Sequence, residues 1–288
     1  MTSARRSLTV LATGPLALIQ DLGRPGLGGQ GVGRSGAADR ASHGLANRLV
    51  GNQPDAATIE IVFGGFSMQA EHDLVIAITG APAPATVNDA PVGHNAVVRM
   101  PAGSVLTLAV PSTGLRSYLA VRGGIDVPLV LGSRSTDVLS GLGPPAVKPG
   151  AVLPIGLPAR ALPTLDQAPV WSPPAGASVL RARRGPRADR VVDDPFGRPW
   201  TASSRSDRVG IRLEGEPLQF VAGLPELPSE GVVRGALQVP PSGEPVLFLS
   251  DHPVTGGYPV VAVVRSTDID LAAQARPGQN VIFKEESR

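Results

Sequence analysis

Polar residues form five short clusters between the apolar segments of this 288-residue chain, where plain turns would not require them. Acidic side chains in these clusters lie close in sequence to arginine or glycine. An arginine beside a carboxylate, with glycines that allow close backbone approach, is suited to binding an anion through paired hydrogen bonds. Alternatively, the acidic–arginine pairs cap turns and pin loops. As a set they favour a ligand or partner surface. The clusters span residues 20–52, 122–136, 206–213, 229–241 and 251–259.

No motif of a familiar enzyme class accompanies the clusters. There is no phosphate-binding loop of the form GxxxxGK(S/T), and the glycine-rich stretch Gly23–Gly36 does not follow a strong parallel-strand pattern. The four histidines are scattered without a paired spacing, so we predict no metal site. A GxSxG motif for a serine nucleophile is also missing. By motif alone, the chain is not a self-sufficient enzyme.

The amino-acid composition excludes several further classes of protein. A net charge of +2 and an aromatic content of 3% argue against nucleic-acid binding. The lack of cysteine excludes disulfides and thiolate metal sites. No apolar run approaches the roughly 18 residues of a membrane span, and the N-terminal stretch lacks the apolar core and cleavage site of a signal peptide. We therefore expect a soluble, cytoplasmic protein that binds neither nucleic acid nor membrane.

The elements that position the clusters are mostly short strands. The 35 glycines and 30 prolines separate short apolar runs, as the turns of a β architecture do. The β-branched-rich runs predict strands over residues 8–11, 58–62, 74–79, 97–100, 105–110, 118–121, 246–249 and 260–264. Apolar residues spaced by four predict a helix over Ala37–Val50, with Ser35 or Asp39 as its cap and Gly51 at its end. A shorter helix is predicted after Thr267.

A proline-rich stretch, Pro154–Ser178, is typical of a linker between two halves. An arginine-rich segment follows it directly. A solvated strand or loop face is the favoured interpretation of this segment, and a ligand site is the alternative. Its arginines are Arg181, Arg183, Arg184, Arg187 and Arg190.

Several of these segments together resemble one protein family. They are QDLGR, SGAAD, TIEIVFGG, RGGIDVPLVLGSRST, SDRVGIRLEG, SEGVVRGALQVPPSGEPV and TGGYPVVAVV. In this order, over about residues 10–283, they are similar to the C-subunit family of 5-oxoprolinase. That family is also called KipA, allophanate hydrolase subunit 2, or the biotin-dependent carboxyltransferase family. The resemblance implies a mainly β fold of two cyclophilin-like β-barrel domains with a few short helices, over residues 1–170 and 178–288. Strand exchange between the halves remains open.

The resemblance also implies roles for residues of the clusters. Four carboxylates would orient arginines or act as bases, and these are Asp21, Asp39, Glu60 and Asp251. Arginines would bind anions, and these are Arg24, Arg122, Arg134 and Arg208. The other residues expected at a substrate or ATP site are Gln20, Gly123, Gly124, Ser133, Asp207, Glu230, Gln238, Thr255, Gly256, Gly257 and Tyr258. Some of these residues would instead build an interface with a partner.

Three functions are compatible with the family. The first is one component of an ATP-dependent 5-oxoprolinase, which acts with the B subunit (KipI-like, or allophanate hydrolase subunit 1) and the A subunit and is inactive alone. The complex would use ATP with Mg²⁺ to open 5-oxoproline to L-glutamate. The second is the carboxyltransferase component of a biotin-dependent enzyme, with biotin carried by a partner protein. The third is a non-catalytic regulator that binds a KipI-like inhibitor of a histidine kinase.

Overall fold

The computed structural model describes residues 6–286, which divide into two compact units. The first unit contains the described residues up to Arg24, then residues 39–136 and 141–173. The second contains residues 25–38, residues 137–140 and the described residues from Pro174 onward. Two short segments that are separated in sequence from the rest of the second unit therefore belong to it. None of the helices in this part of the chain is long and apolar enough to cross a bilayer.

The first unit is built from two antiparallel sheets. Its strands are β1 (Ser7–Thr13), β2 (Leu16–Gln20), β3 (Thr58–Val62), β4 (Phe66–Ala70), β5 (Leu74–Gly80), β6 (Ala85–Val87), β7 (Ala90–Val92), β8 (Val97–Met100), β9 (Val105–Leu108), β10 (Arg116–Val121) and β11 (Val152–Pro154). The six-stranded sheet has the order β11-β1-β4-β9-β6-β7, and the five-stranded sheet has the order β2-β3-β10-β5-β8. Buried side chains from both sheets form one hydrophobic core, as two apolar sheet faces require.

One helix, α1 (Arg40–Leu49), packs against β5 and β10. The Asp39 side chain caps it by accepting a hydrogen bond from Ser42 N at 2.9 Å, which satisfies a main-chain donor at the start of the helix. The helix is followed by Gly51, whose φ of 67° suits glycine. The predicted helix, the cap at Asp39 and the end at Gly51 are confirmed. All six residues of β10 are buried, since the core covers one face of this central strand and α1 lies on the other.

The second unit contains a closed barrel. Its strands are β12 (Ser178–Arg184), β13 (Pro199–Ala202), β14 (Gly210–Glu214), β15 (Glu230–Gly231), β16 (Ala236–Gln238), β17 (Val246–Phe248), β18 (Thr255–Gly256), β19 (Val260–Val264) and β20 (Asn280–Glu285). Seven strands close the barrel in the order β12-β19-β16-β17-β14-β13-β20. Strands β15 and β18 form a separate two-stranded sheet. Closure pairs each of the seven barrel strands on both sides, which removes the exposed edges of an open sheet.

The barrel encloses a second core, in which Trp200 is completely buried. The indole Nε1 of Trp200 donates a hydrogen bond to the carbonyl of Pro195 at 3.2 Å. A second helix, α2 (Ser266–Ala272), packs on β12. It begins one residue before Thr267, so the prediction of a short helix there is confirmed to within one or two residues.

The mainly β architecture predicted from the sequence is confirmed, and each of the eight predicted strands has a counterpart in the structure. The stretch Pro154–Ser178, predicted as a linker between two halves, contains the boundary between the two units at residues 173 and 174, but part of it is paired. Val97 N donates to the carbonyl of Asp166 at 2.7 Å, and Ala168 N donates to the carbonyl of Asn95 at 2.8 Å. This part of the stretch therefore pairs with the chain around β8 inside the first unit.

Candidate functional site

In the first unit, the carboxylate of Asp21 organises a loop. Its Oδ1 accepts hydrogen bonds from Gly23 N at 2.7 Å, Ser133 Oγ at 2.6 Å and Ser135 Oγ at 2.5 Å. Its Oδ2 accepts one from Arg134 N at 2.6 Å. The side chain is buried, with 6% of its surface exposed. Asp21 and Ser133, predicted as base and ligand-binding residue, are thus in contact, and the contact closes a loop.

Two neighbouring predicted residues also bond within the first unit. Gln20 Nε2 donates to the carbonyl of Thr136 at 2.8 Å, and Arg24 Nη2 donates to the carbonyl of Ser135 at 2.5 Å. Both side chains are almost fully buried. These bonds fasten the end of β2 to the same loop that Asp21 holds.

The other two arginines of this unit that were expected to bind anions have acceptors of their own. Arg122 donates to the carbonyls of Val50 at 2.9 Å and Arg160 at 2.6 Å. Arg134 pairs with Asp126 at 2.6 Å and also donates to a main-chain carbonyl. Because their donors are used inside the unit, neither arginine presents a free guanidinium fork to a ligand.

Gly123 and Gly124, which were predicted to bind a ligand, allow a tight turn of the main chain. Gly123 has φ of 103°, and a Cβ there would lie 2.1 Å from the carbonyl oxygen of Gly156. Gly123 N donates to Asn52 Oδ1 at 2.8 Å. Gly124 has φ of 73°, and a Cβ would meet Ala56 at 3.2 Å. Both positions require glycine, because their φ angles are positive and a Cβ would come too close to neighbouring atoms.

Glu60 and Asp39 meet around a buried tyrosine beneath α1. The alternation of β3 sends Ile59 into the core and Glu60 to the opposite face. Tyr118 OH donates to Glu60 Oε2 at 2.8 Å and accepts from Asp39 N at 2.7 Å. Burial, reinforced by the nearby carboxylates, raises the pKa of Tyr118 well above its usual value. Arg116 Nε lies 3.6 Å from Glu60 Oε1. This arrangement ties the start of the helix to the sheet.

In the second unit, Arg208 and Asp251 form a buried ion pair. Arg208 Nε and Nη2 each donate to a different carboxylate oxygen of Asp251, both at 2.9 Å. Arg208 is 2% exposed and Asp251 is 1% exposed. The same carboxylate accepts hydrogen bonds from Ser35 Oγ at 2.7 Å and Val138 N at 3.0 Å, and Arg208 Nη2 also donates to the carbonyl of Gly36 at 2.6 Å. The pair fastens segments 25–38 and 137–140 to the barrel.

The arginine-rich segment 181–190 is confirmed as a solvated face. Alternate residues of β12 are exposed. Its arginines bond to acceptors of the same unit, which are Asp268, Glu286, Asp194, Glu285, Glu230 and the carbonyl of Pro225. The predicted ligand residue Glu230 belongs to this set, because Arg187 holds it through two hydrogen bonds and lowers its pKa.

The outer face of the barrel carries a pocket of about 330 Å³ that collects three of the predicted residues. We call it the barrel pocket. It is lined by Leu139, Asp207, Val209, Gly210, Arg212, Gln238, Pro240, Val246, Phe248 and Tyr258. Its size and its mainly apolar wall with a few polar groups are typical of a small-molecule site.

The predicted residues around the barrel pocket have distinct positions. Asp207 Oδ1 accepts hydrogen bonds from Val209 N at 2.8 Å and Gly210 N at 3.1 Å, and so shapes the turn before β14. Gln238 Nε2 donates to the carbonyl of Tyr258 at 3.0 Å. A Cβ at Gly256 would lie 2.6 Å from that nitrogen. Thr255 and Gly257 lie beside Gly256, and Gly257 lines a larger groove that shares Tyr258.

Sequence reasoning missed Arg212, which lines the barrel pocket, and chose Arg208 four residues earlier. In β14 the residues Ile211 and Leu213 are buried while Arg212 is exposed. This alternation in an apolar strand was the available signal. For metals, the structure gives no candidate within residues 6–286: no group of three or more His, Cys, Asp or Glu side chains is arranged to hold an ion.

Comparison with known proteins identifies the class. Residues 30–285 match the model of the carboxyltransferase domain, subdomain A and B, and the chain belongs to that family. A curated relative, the C subunit of the 5-oxoprolinase of Escherichia coli (strain K12), is 39% identical over 96% of this chain and 90% of its own length.

Two solved structures show the same fold. A protein designated TTHA0988 superposes with a TM-score of 0.88 at 35% identity over 98% of this chain, which covers 56% of that protein. The urea amidolyase of K. lactis superposes with a TM-score of 0.91 at 29% identity over 100% of this chain. This chain spans only 19% of that enzyme.

Proposed function

We propose that this chain is the C subunit of an ATP-dependent 5-oxoprolinase, and that it is inactive without its partners, the B and A subunits. The observation that carries the proposal is the match to a curated 5-oxoprolinase component of that kind over nearly the full length of both chains. That match covers 96% of this chain and 90% of the relative, whereas this chain matches 19% of the urea amidolyase of K. lactis.

The chemical difficulty of the reaction is the inertness of a lactam carbonyl. ATP transfers its γ-phosphoryl group to the lactam oxygen and leaves as ADP, which makes the ring carbon electrophilic. Water attacks that carbon, the ring C–N bond breaks as the nitrogen takes up a proton, and a second water hydrolyses the resulting acyl phosphate to glutamate and phosphate. We assign ATP and Mg²⁺ to the assembled complex, because the four arginines expected to bind anions donate to acceptors in their own units. This chain contributes the barrel pocket as the site for a small substrate.

The test is reconstitution. The chain is co-expressed with the B and A subunits, and glutamate release from 5-oxoproline is measured with ATP while each component is omitted in turn. We expect activity in the full set and none when this chain is left out. A stable complex that releases no glutamate contradicts the assignment, and a chain that only blocks a KipI-like partner would then be a regulator.

The carboxyltransferase component of a biotin-dependent enzyme is the second candidate. The observations that favour it are the family model and the fold shared with urea amidolyase. In this case biotin is carried by a partner protein, and turnover requires bicarbonate and a biotinylated partner. Omitting bicarbonate and adding avidin to the reconstituted complex separates the two functions, since neither treatment affects lactam hydrolysis.

A further inference from the structure

Arg212 is one of the residues that line the barrel pocket. The alternation of β14 places it on the outer face between the core residues Ile211 and Leu213. Its main chain is bonded, since its N donates to Ser206 Oγ at 3.1 Å and its carbonyl accepts from Ser203 N at 2.8 Å. Within the described residues its guanidinium makes no hydrogen bond or ion pair. Five N–H donors are therefore open to the pocket or to solvent.

Gln238 also lines the barrel pocket, in the same row of paired residues as Arg212. Arg212 pairs in register with Val246 on β17, and Val246 pairs with Gln238 on β16. Two strand spacings separate the Cα atoms of Arg212 and Gln238, which is about 10 Å. Because a main-chain carbonyl only accepts, the bond to Tyr258 fixes the nitrogen of the Gln238 amide on that side. Its Oε1 accepts no hydrogen bond within the described part of the chain.

Across the three neighbouring strands, the guanidinium of Arg212, the apolar side chain of Val246 and the carboxamide of Gln238 therefore follow one another in this spatial order. The glycine at position 210 keeps the pocket open, because a Cβ there would lie 2.8 Å from Val246 Cγ1. A guanidinium binds a carboxylate through paired hydrogen bonds. A carboxamide donates to and accepts from another amide. A ligand with a carboxylate, a short hydrocarbon link and a cyclic amide matches this order.

We propose that Arg212 binds the carboxylate of a small cyclic amide acid and that Gln238 binds its ring amide, both in the barrel pocket. The identification of that ligand as 5-oxoproline rests on the proposed function. The site itself rests on the open guanidinium among the described residues, the register of the three strands and the pocket volume.

The experiment compares binding to the full chain, alone and in the reconstituted complex. The probes are 5-oxoproline, its neutral primary amide and inorganic phosphate, each followed by ligand-observed NMR. Arg212→Gln removes the charge and Arg212→Lys retains it. Arg183→Gln is the matched control, because Arg183 is an exposed arginine of the same barrel that pairs with Glu286 and lines neither the barrel pocket nor the larger groove beside it.

Loss of a charge-assisted contact is expected to weaken 5-oxoproline binding about 10- to 100-fold in Arg212→Gln. The neutral amide should bind wild type and Arg212→Gln equally, Arg212→Lys should retain part of the affinity, and Arg183→Gln should match wild type. Unchanged 5-oxoproline binding in Arg212→Gln overturns the proposal. So does a wild type that binds phosphate but not 5-oxoproline, or that binds neither.

Kinetics separate this proposal from the proposed function. If the complex releases glutamate and Arg212→Gln leaves the KM for 5-oxoproline unchanged, the substrate site is wrong and the function stands. If the complex releases no glutamate but binding of 5-oxoproline depends on Arg212, the function is wrong and the carboxylate site stands.

Discussion

Replacing Asp251 with asparagine should lower the free energy of unfolding of the barrel unit far more than the loss of one carboxylate at the protein surface would. The carboxylate holds Arg208 with two hydrogen bonds of 2.9 Å and also accepts from Ser35 and Val138. Asparagine has nearly the same shape, but it leaves the guanidinium buried without a counterion. Breaking a buried pair in this way costs about 3–5 kcal/mol. That is a large part of the roughly 5–15 kcal/mol that stabilises a domain.

The measurement uses the position of the two tryptophans. Trp200 is fully buried in the barrel core, and Trp171 is 58% exposed. In a Trp171→Phe background, the fluorescence of Trp200 therefore reports unfolding of the barrel in urea. We expect the urea midpoint to fall sharply, and a thermal scan followed by the same fluorescence should show a Tm lower by about 10–20 °C. The control is Glu285→Gln, which removes one carboxylate from a half-exposed pair with Arg184 and should cost under about 1 kcal/mol.

A double-mutant cycle shows whether the pair itself is responsible. Arg208→Met and Asp251→Asn should each be strongly destabilising, and the double variant should lose clearly less than the two losses combined, since no buried charge is left unpaired. If Asp251→Asn costs no more than Glu285→Gln and the cycle shows no coupling, the reasoning is refuted. A fall in glutamate release by a fully folded Asp251→Asn complex would then support the predicted role of Asp251 as a base.

Three further changes test other parts of the molecule. Gly256→Ala should push the Gln238 amide away and raise the KM for 5-oxoproline several-fold in the reconstituted complex, whereas Gly257→Ala should not, since its nearest atom would lie 3.9 Å away. Burial lowers the pKa of His43 below 6.5, so the unfolded state takes up a proton first and the free energy of unfolding should fall as the pH drops below about 6.5. Urea titrations at pH 7.5 and 5.5 should show that the free energy of unfolding falls less between these two pH values in His43→Gln than in the wild type. Asp21→Asn should cost at least about 2 kcal/mol of stability with kcat of the folded complex unchanged, because the carboxylate is occupied by four hydrogen bonds. A lower kcat at a temperature where this variant stays folded would instead restore its predicted role as a base.

The strands were predictable where the sequence is rich in β-branched residues. Segments such as Thr58–Val62 and Val260–Val264 coincide with observed strands. Strand β4 was missed because its sequence, FSMQA, has no β-branched residue, although its burial alternates regularly. The assignment of segments 25–38 and 137–140 to the second unit was beyond local sequence patterns, since it depends on hydrogen bonds to Asp251 more than a hundred residues away.

The candidate site was predictable only in part, because the partners of its polar residues are also far away in the sequence. Gln238 and Tyr258 were chosen from polar clusters, and both line the barrel pocket. Asp39 and Glu60 were chosen from the same kind of evidence, but they meet at the hydroxyl of Tyr118 beneath a helix. A cluster of polar residues in the sequence shows that polar groups are needed nearby. It does not show whether their partners are in the protein or in a ligand.

Arg208 and Arg212 show how the two cases can be separated. Both belong to the segment SDRVGIRLEG, and the one beside an acidic neighbour looked more like an anion binder. That neighbour, Asp207, bonds to the turn instead, and the counterion of Arg208 comes from Asp251. Arg212 lies between two core residues of a strand, so its side chain must point outward, where no carboxylate of the described chain meets it. Alternation alone is not enough, because Arg181 and Arg183 of β12 also alternate with core residues and pair with Asp268 and Glu286. A charged residue that alternates with core residues and has no such partner in the described chain is the better candidate, because its charge is available to a ligand.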